Sequence, residues 1–317
     1  MKMHKSLIKI STIGMSREEW LQHRRKSIGG SDAAAIVGMN PWSSPYSVWA
    51  DKLGKLPEKE DTEPMRLGRD LEDYVAKRFT EATGKKVHRE NAIITNPDFP
   101  FAHANVDRMV VGEDAGLECK TTRTLNVKPF KNGEFPEQYY AQCVHYMMVT
   151  GAAKWYLAVL VLGEGFYWYC IARDDAEITA LACAEGDFWK CVKEKTPPLT
   201  DGDKATTEAL SVIYADSNPG ESVSLMGYDQ ALREYLALAV QIRRLKAQQD
   251  EAANSVKAFM GEAEKGSSDT YKVSWASGKR ETFDKDRFFS EHPEIDPSPY
   301  MKVTATRTFR VSEVKKG

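Results

Sequence analysis

A mixed α/β (α+β) fold is expected from three features of the chain. Apolar residues recur at helical spacing in several long segments. Other segments are runs of β formers bounded by turn residues. The two kinds interleave along the chain. The 317 residues are 42% hydrophobic and 28% charged, ordinary globular values, and the length allows one large domain or two smaller ones.

Ser16-Arg-Glu-Glu19 has the form of a capping box and opens a helix carrying Trp20 and Leu21. Gly29-Gly-Ser-Asp32 is a turn and a second helix start, followed by Ala33 to Val37. Leu67, Leu71, Tyr74, Val75 and Phe79 place an amphipathic helix over 65–83, closed by Gly84. His103 to Val111 is expected as one strand, Gly112 to Gly116 as a turn, and Leu117 to Thr121 as the return strand. A helix over 136–151 follows. A hairpin around Gly163-Glu-Gly165 joins strands 154–162 and 165–172, and a helix over 174–195 follows it. Lys195-Thr-Pro-Pro-Leu-Thr-Asp-Gly-Asp203 is the strongest break, so the domains are expected to be 1–198 and 199–317.

The C-terminal part has a different texture. Tyr235, Leu238, Ile242, Leu245, Gln249, Ala252, Val256 and Phe259 are alternately three and four residues apart, a heptad seam on a helix of about 228–262. Tyr271 to Trp275, a Ser277-Gly278 turn and a strand from Tyr300 to Val311 are expected to form a small β-containing module.

Charge and cysteine content exclude several classes. Lys and Arg number 44 against 46 Asp and Glu, a net −2, which argues against gripping nucleic acid by bulk charge but leaves room for a local basic groove. The five cysteines form no CxxC pair, so neither a disulfide framework nor a zinc or iron–sulfur site is expected. Reduced thiols, the lack of any run of about 18 apolar residues, and no apolar signal run behind Met1–Lys5 give a cytoplasmic expectation with no membrane partner.

The most informative spacing is Asn105-Val-Asp107 followed by Glu118-Cys-Lys120. Residues two apart on a strand share a face, so Glu118 and Lys120 project together. A hairpin brings Asp107 alongside. Two carboxylates and an ammonium suit metal-dependent phosphodiester hydrolysis: the carboxylates hold Mg²⁺, and the lysine orients or deprotonates water or offsets phosphate charge. The Cys119 backbone carbonyl is a further candidate ligand. The same residues also occur as solvated salt bridges on many sheets, but Val106, Leu117 and Cys119 flank them here. His103 and Tyr146 read more readily as packing residues, and Trp42 and Trp49 as core or loop anchors.

Asp107 with Glu118-Cys-Lys120 resembles the PD-(D/E)XK nuclease signature, with Asn105-Val at the proline position. Leu67-Gly-Arg-Asp-Leu-Glu72 resembles the acidic helix of that superfamily. Gln142-Cys-Val-His-Tyr146 resembles the Gln-X-X-X-Tyr motif of RecB-type nucleases. Tyr139-Tyr-Ala-Gln142 resembles the same helix in lambda exonuclease, and Trp20-Leu-Gln-His-Arg24 with Ile28-Gly-Gly-Ser-Asp32 resembles its 5′-phosphate segment. Together these motifs, over residues 16–195, resemble the YqaJ-like viral recombinase family, relatives of lambda exonuclease.

The resemblance implies a restriction-endonuclease-like core, a mixed sheet flanked by helices, to which the heptad seam and the later β formers, outside the resemblance, add a C-terminal coiled-coil-like helix and small β extension. It implies processive digestion of the 5′ strand at ends of double-stranded DNA, in a bacterial host of a phage or prophage. The 3′ single strand would pass to a RecT- or Bet-like annealing protein. By the same resemblance Asp107 and Glu118 ligate Mg²⁺ or Mn²⁺, Lys120 assists the water, and Glu72 is an outer or second-metal acid. Gln142 and Tyr139 orient the site or touch DNA, and Arg24 and Ser31 hold the terminal phosphate. A ring-shaped homotrimer is the family's assembly. An internally cutting endonuclease and a non-catalytic DNA-binding or scaffold subunit are the alternatives.

Overall fold

The computed structural model describes residues 6–58, 60–123, 127–301 and 307–314. They fall into two compact units, Met1–Tyr214 and Ala215–Gly317.

β1 (Ile8–Ser11) leads into α1 (Arg17–Arg25), where the expected capping box forms: Ser16 Oγ accepts from Glu19 N–H, and the Glu19 carboxylate accepts from Ser16 N–H at 2.9 Å. In α2 (Gly30–Ile36) the Asp32 carboxylate folds back to accept Gly29 N–H at 3.0 Å. α3 (Pro45–Lys52) starts on a Ser44 cap with Pro45 at its head, where the fixed φ suits a helix and the missing N–H costs nothing. α4 (Glu63–Thr83) is the expected amphipathic helix. Gly84 ends it at φ 73°, a left-handed conformation natural to glycine.

After β2 (Val87–Arg89) and β3 (Ala92–Thr95), the single strand expected over 103–111 is two. β4 (His103–Ala104) pairs with β3, whereas β5 (Arg108–Val110) pairs with β2. Asn105 and Asp107 are poor strand formers, and at 105–107 the chain passes from one sheet to the other. β6 (Ala115–Thr122), α5 (Val127–Lys131), α6 (Glu137–Thr150), the hairpin β7 (Lys154–Val161) and β8 (Gly165–Ala172), α7 (Asp175–Glu194) and α8 (Lys204–Ile213) complete the unit.

The five-stranded sheet has the order β2-β5-β6-β7-β8, with β6 and β7 parallel and the other pairs antiparallel. A second sheet has the order β1-β3-β4. Val75, Ala76 and Phe79 of α4 pack on Val110, Ala115, Leu117, Tyr156 and Ala158 from one face of the large sheet. Val144, Met147 and Met148 of α6 share the other core with Trp155, Leu157 and Val159. The alternation along β6 and β7 thus divides the sheet between two helices. α8 packs on α3: Ala209 is buried, and Thr206 Oγ1 donates to Ser44 Oγ at 2.7 Å. The first unit therefore continues to Tyr214, past the break expected near 198.

The second unit contains α9 (Asp229–Met260), none of whose residues is buried, the antiparallel pair β9 (Lys265–Ser267) and β10 (Lys272–Ser274), and α10 (Lys285–Glu291). The chain reverses at Ser268–Tyr271, ahead of β10, rather than at Ser277-Gly278, because β10's partner precedes it. Of the strand expected over 300–311, Ser298–Tyr300 is a 3₁₀ turn and 307–311 carry no strand; 302–306 lie outside the described residues, as does Met1–Lys5. No helix among the described residues is long and apolar enough to cross a membrane.

Candidate active site

Arg108 on β5 stands opposite Leu117 on β6, so Asp107 falls beside Glu118. Asp107 Oδ2 accepts the Cys119 N–H at 2.8 Å. Leu117 turns to the α4 face, which leaves Glu118 and Lys120 on the α6 face. There Gln142 meets both. Its Nε2 donates to Glu118 Oε1 at 2.8 Å, and its Oε1 accepts from Lys120 Nζ at 2.9 Å. Lys120 Nζ also lies 2.5 Å from Glu118 Oε1, and Gln142 Nε2 donates to Tyr146 Oη at 2.7 Å. The Tyr139 ring centroid is 5.4 Å from Lys120 Nζ, within cation–π range. Asp107, Glu118, Lys120, Gln142 and Tyr139 are thus brought together from β6, α6 and the sheet crossing.

The electrostatics of this group are strongly coupled. Burial, then the Glu118 and Glu72 charges, push the Asp107 carboxyl well above its usual range against the pull of Lys120. Burial also works against the Lys120 ammonium, but Glu118 and Asp107 outweigh it and hold it above the ordinary lysine value. Glu118 is 3% exposed, and its Oε2 is buried with no hydrogen-bond partner among the described residues. An orphaned carboxylate oxygen in the interior is costly unless something cationic completes it. Among the described residues no group of three or more His, Cys, Asp or Glu side chains gathers for a metal. Two carboxylates with an open oxygen still fit a magnesium-like cation, which retains water and uses few protein ligands beside phosphate.

Glu72 is placed differently. From α4 it takes Arg108, whose guanidinium also reaches Asp73 Oδ1 and the Asp107 carbonyl, each at 2.6 Å. Arg108 shares the α4 face with Leu117. Glu72 therefore acts on Asp107 through its field and has no hydrogen bond to the Glu118–Lys120–Gln142 group.

Arg24 and Ser31 do meet: Arg24 Nη2 donates to Ser31 Oγ at 2.9 Å, with the guanidinium 5.0 Å from the Trp20 ring. The loop before α2 is stitched to β4 by Ile28 N–H to Phe101 O and His103 N–H to Ile28 O, both 2.8 Å. One cleft of about 210 Å³ is lined by Trp20, Arg24, Ser31, Asn105, Asp107 and Tyr146, so the Arg24 pair and Asp107 open onto the same space. His103 is buried with Nδ1 2.8 Å from Ser27 Oγ, and burial drives its pKa down to about 3. Tyr146, expected as packing, both packs and accepts from Gln142. Trp49 is core at 2% exposed, whereas Trp42 is 79% exposed.

Two residues escaped the sequence reading. Lys52 is buried against Asp32; a lysine near a helix end reads as solvated, and no local signal marked it. Asn105 has a buried, unpartnered Oδ1 in the cleft, and its sequence signal was its place two residues before Asp107.

The family model of the YqaJ-like viral recombinase domain matches residues 19–153. The chain is 40% identical over 309 residues to the protein YqaJ of Bacillus subtilis (strain 168), covering 95% of each. The chain belongs to the YqaJ-like viral recombinase family. The alkaline exonuclease LHK-Exo of Laribacter hongkongensis is similar in fold. Its complex with dAMP aligns at TM-score 0.50 and 22% identity over 56% of this chain and 94% of that one. A second structure of the enzyme gives 0.49 and 21% over the same shares. The fold is the PD-(D/E)XK type, a mixed five-stranded sheet flanked by helices.

Proposed function

We propose that the protein is a 5′→3′ exonuclease of phage-type recombination, acting on ends of double-stranded DNA with Mg²⁺ or Mn²⁺. The observation that carries this reading is the unpartnered Glu118 Oε2 beside Asp107, in a region that shares its cleft with Arg24 and Ser31. Asp107, Glu118 and the Cys119 backbone carbonyl would hold the cation, which supplies water activation and charge neutralisation at the phosphate. Lys120 stands as a fixed ammonium toward the charge that builds on phosphate oxygens, and Gln142 holds it in line with Glu118. Glu72 keeps Arg108 against the Asp107 carbonyl. Arg24 and Ser31 take the terminal 5′-phosphate, a guanidinium and hydroxyl pairing suited to it. Tyr139 lies along the path of the strand. The exposed 3′ strand would pass to a single-strand annealing protein, in the host cytoplasm.

The test incubates the protein with Mg²⁺ and linear duplex labelled at either end, alongside closed circular plasmid. Loss of the 5′-labelled strand from linear DNA alone, stopped by EDTA, is expected. Nicking of the circle would replace the exonuclease reading with an endonuclease. No cleavage with either metal would leave a scaffold. Lys120→Ala should slow digestion on the order of 10²-fold or more; an undiminished rate removes Lys120 from the chemistry.

A further inference from the structure

Lys52, the last residue of α3, has a side chain only 1% exposed. An ammonium taken out of water must be paired. Lys52 Nζ lies 2.7 Å from Asp32 Oδ2 and donates to the Arg24 backbone carbonyl at 2.8 Å. Asp32 Oδ2 also accepts the Gly29 N–H, while its Oδ1 lies 3.4 Å from Arg24 Nη2. The carboxylate thus sits between two cations and is closer to the lysine. Although burial opposes it, Lys52 and Arg24 together keep Asp32 ionised far below the usual carboxylate range. The three charges sum to one positive, and that charge is on the side of the cleft. Arg24 makes its hydrogen bonds to Ser31 and Asp32 through Nη2 alone, and a guanidinium has five N–H donors to offer.

We infer that Lys52 is a positioning residue for the 5′-terminal phosphate: it takes up the charge of Asp32 and anchors the Arg24 main chain, so that the Arg24 guanidinium is left to bind an anion. This rests on the reading of Arg24 and Ser31 as the phosphate site. Without the ammonium, Asp32 has Arg24 as its nearest cation. The guanidinium then closes onto the carboxylate as a neutral pair, and its attraction for phosphate falls. Lys52 itself touches no DNA and acts through Asp32.

The measurement is the ratio of kcat/KM for linear duplex with 5′-phosphate to that for 5′-hydroxyl ends, with Mg²⁺. The parent protein should favour 5′-phosphate. Lys52→Met should lower the ratio on the order of tenfold, the scale of one charge-assisted hydrogen bond. The double variant Lys52→Met with Asp32→Asn should restore it, since the competing carboxylate is gone. If Lys52→Met does not fold, Lys52→Gln, which keeps an N–H for the Arg24 carbonyl but not the charge, takes its place and should lower the ratio likewise. An unchanged ratio in Lys52→Met, or a ratio still lost in the double variant, overturns the role of Lys52. A parent protein indifferent to the end group overturns the phosphate-site reading itself.

Discussion

At Gly30 there is no room for a methyl group. A Cβ there would stand 2.5 Å from the Tyr146 ring and 3.2 Å from Gln142 Cγ. The Tyr146 ring lies in turn 5.2 Å from the Trp155 ring, and Trp155 covers Gly116, where a Cβ would sit 2.2 Å from the indole. Two glycines therefore bracket two aromatic rings, and α2 approaches α6 closely enough for Ser31 and Tyr146 to line one cleft. Gly30→Ala is expected to cost about 1–3 kcal/mol in urea unfolding through overpacking and to slow digestion by displacing Gln142. A variant as stable and active as its parent would contradict this contact. Much of the candidate site's geometry was legible in residue spacing: Glu118 and Lys120 are two apart on a strand, and Gln142 lies on the helix that packs against their face. Lys52 was not, because only the tertiary approach of α3 to Asp32 buries it. Glu72 was placed on the right helix, but nothing local reveals that Arg108 would intercept it.

Among the elements, the turn between β5 and β6 is tied to the segment after α4 and to β7. Glu113 accepts from Lys85 beyond α4 at 2.5 Å, lies 2.8 Å from Lys154 at the head of β7, and accepts the Tyr156 hydroxyl at 2.9 Å. Hydrogen bonds from Lys154, Lys85 and Tyr156 lower its pKa to about 2. A depressed carboxylate pKa means that the unfolded chain binds more protons, so this stabilisation is present above about pH 4.5 and fades as pH falls toward 2. Glu113→Gln should lower Tm at pH 7, and the difference should shrink steadily down to pH 3 in thermal melts. A difference independent of pH would mean that the charge is not what matters. The position is solvent-accessible, so the effect is modest. The long helices were readable from periodicity and glycine stops. The three-residue β2 and four-residue β1 and β3 were not, since such short strands carry too few alternations to stand out. The split of 103–111 escaped because strand residues do not state which sheet they will join.

The molecule as a whole consists of two units of contrasting character. The first has three apolar cores. In the second, α9 buries no residue, and Leu238, Ile242 and Leu245 of its heptad seam stay exposed. Limited proteolysis should cut within the exposed stretch 215–228. A chain ending at Tyr214 should keep the main melting transition and still digest linear duplex. Loss of both would tie the second unit to the fold of the first. Within the first unit, the passage at Asn105–Asp107 links two sheets. Arg24 and Ser31 are fastened through Ile28 and His103 to the strands of the smaller sheet, while Glu118 and Lys120 belong to the larger. On the exonuclease reading proposed above, a duplex end seated at both would be held between two fixed jaws of a caliper. The length of the piece released in each cycle would then be set by the protein's own dimensions, and it would be the same whatever bases the strand carries.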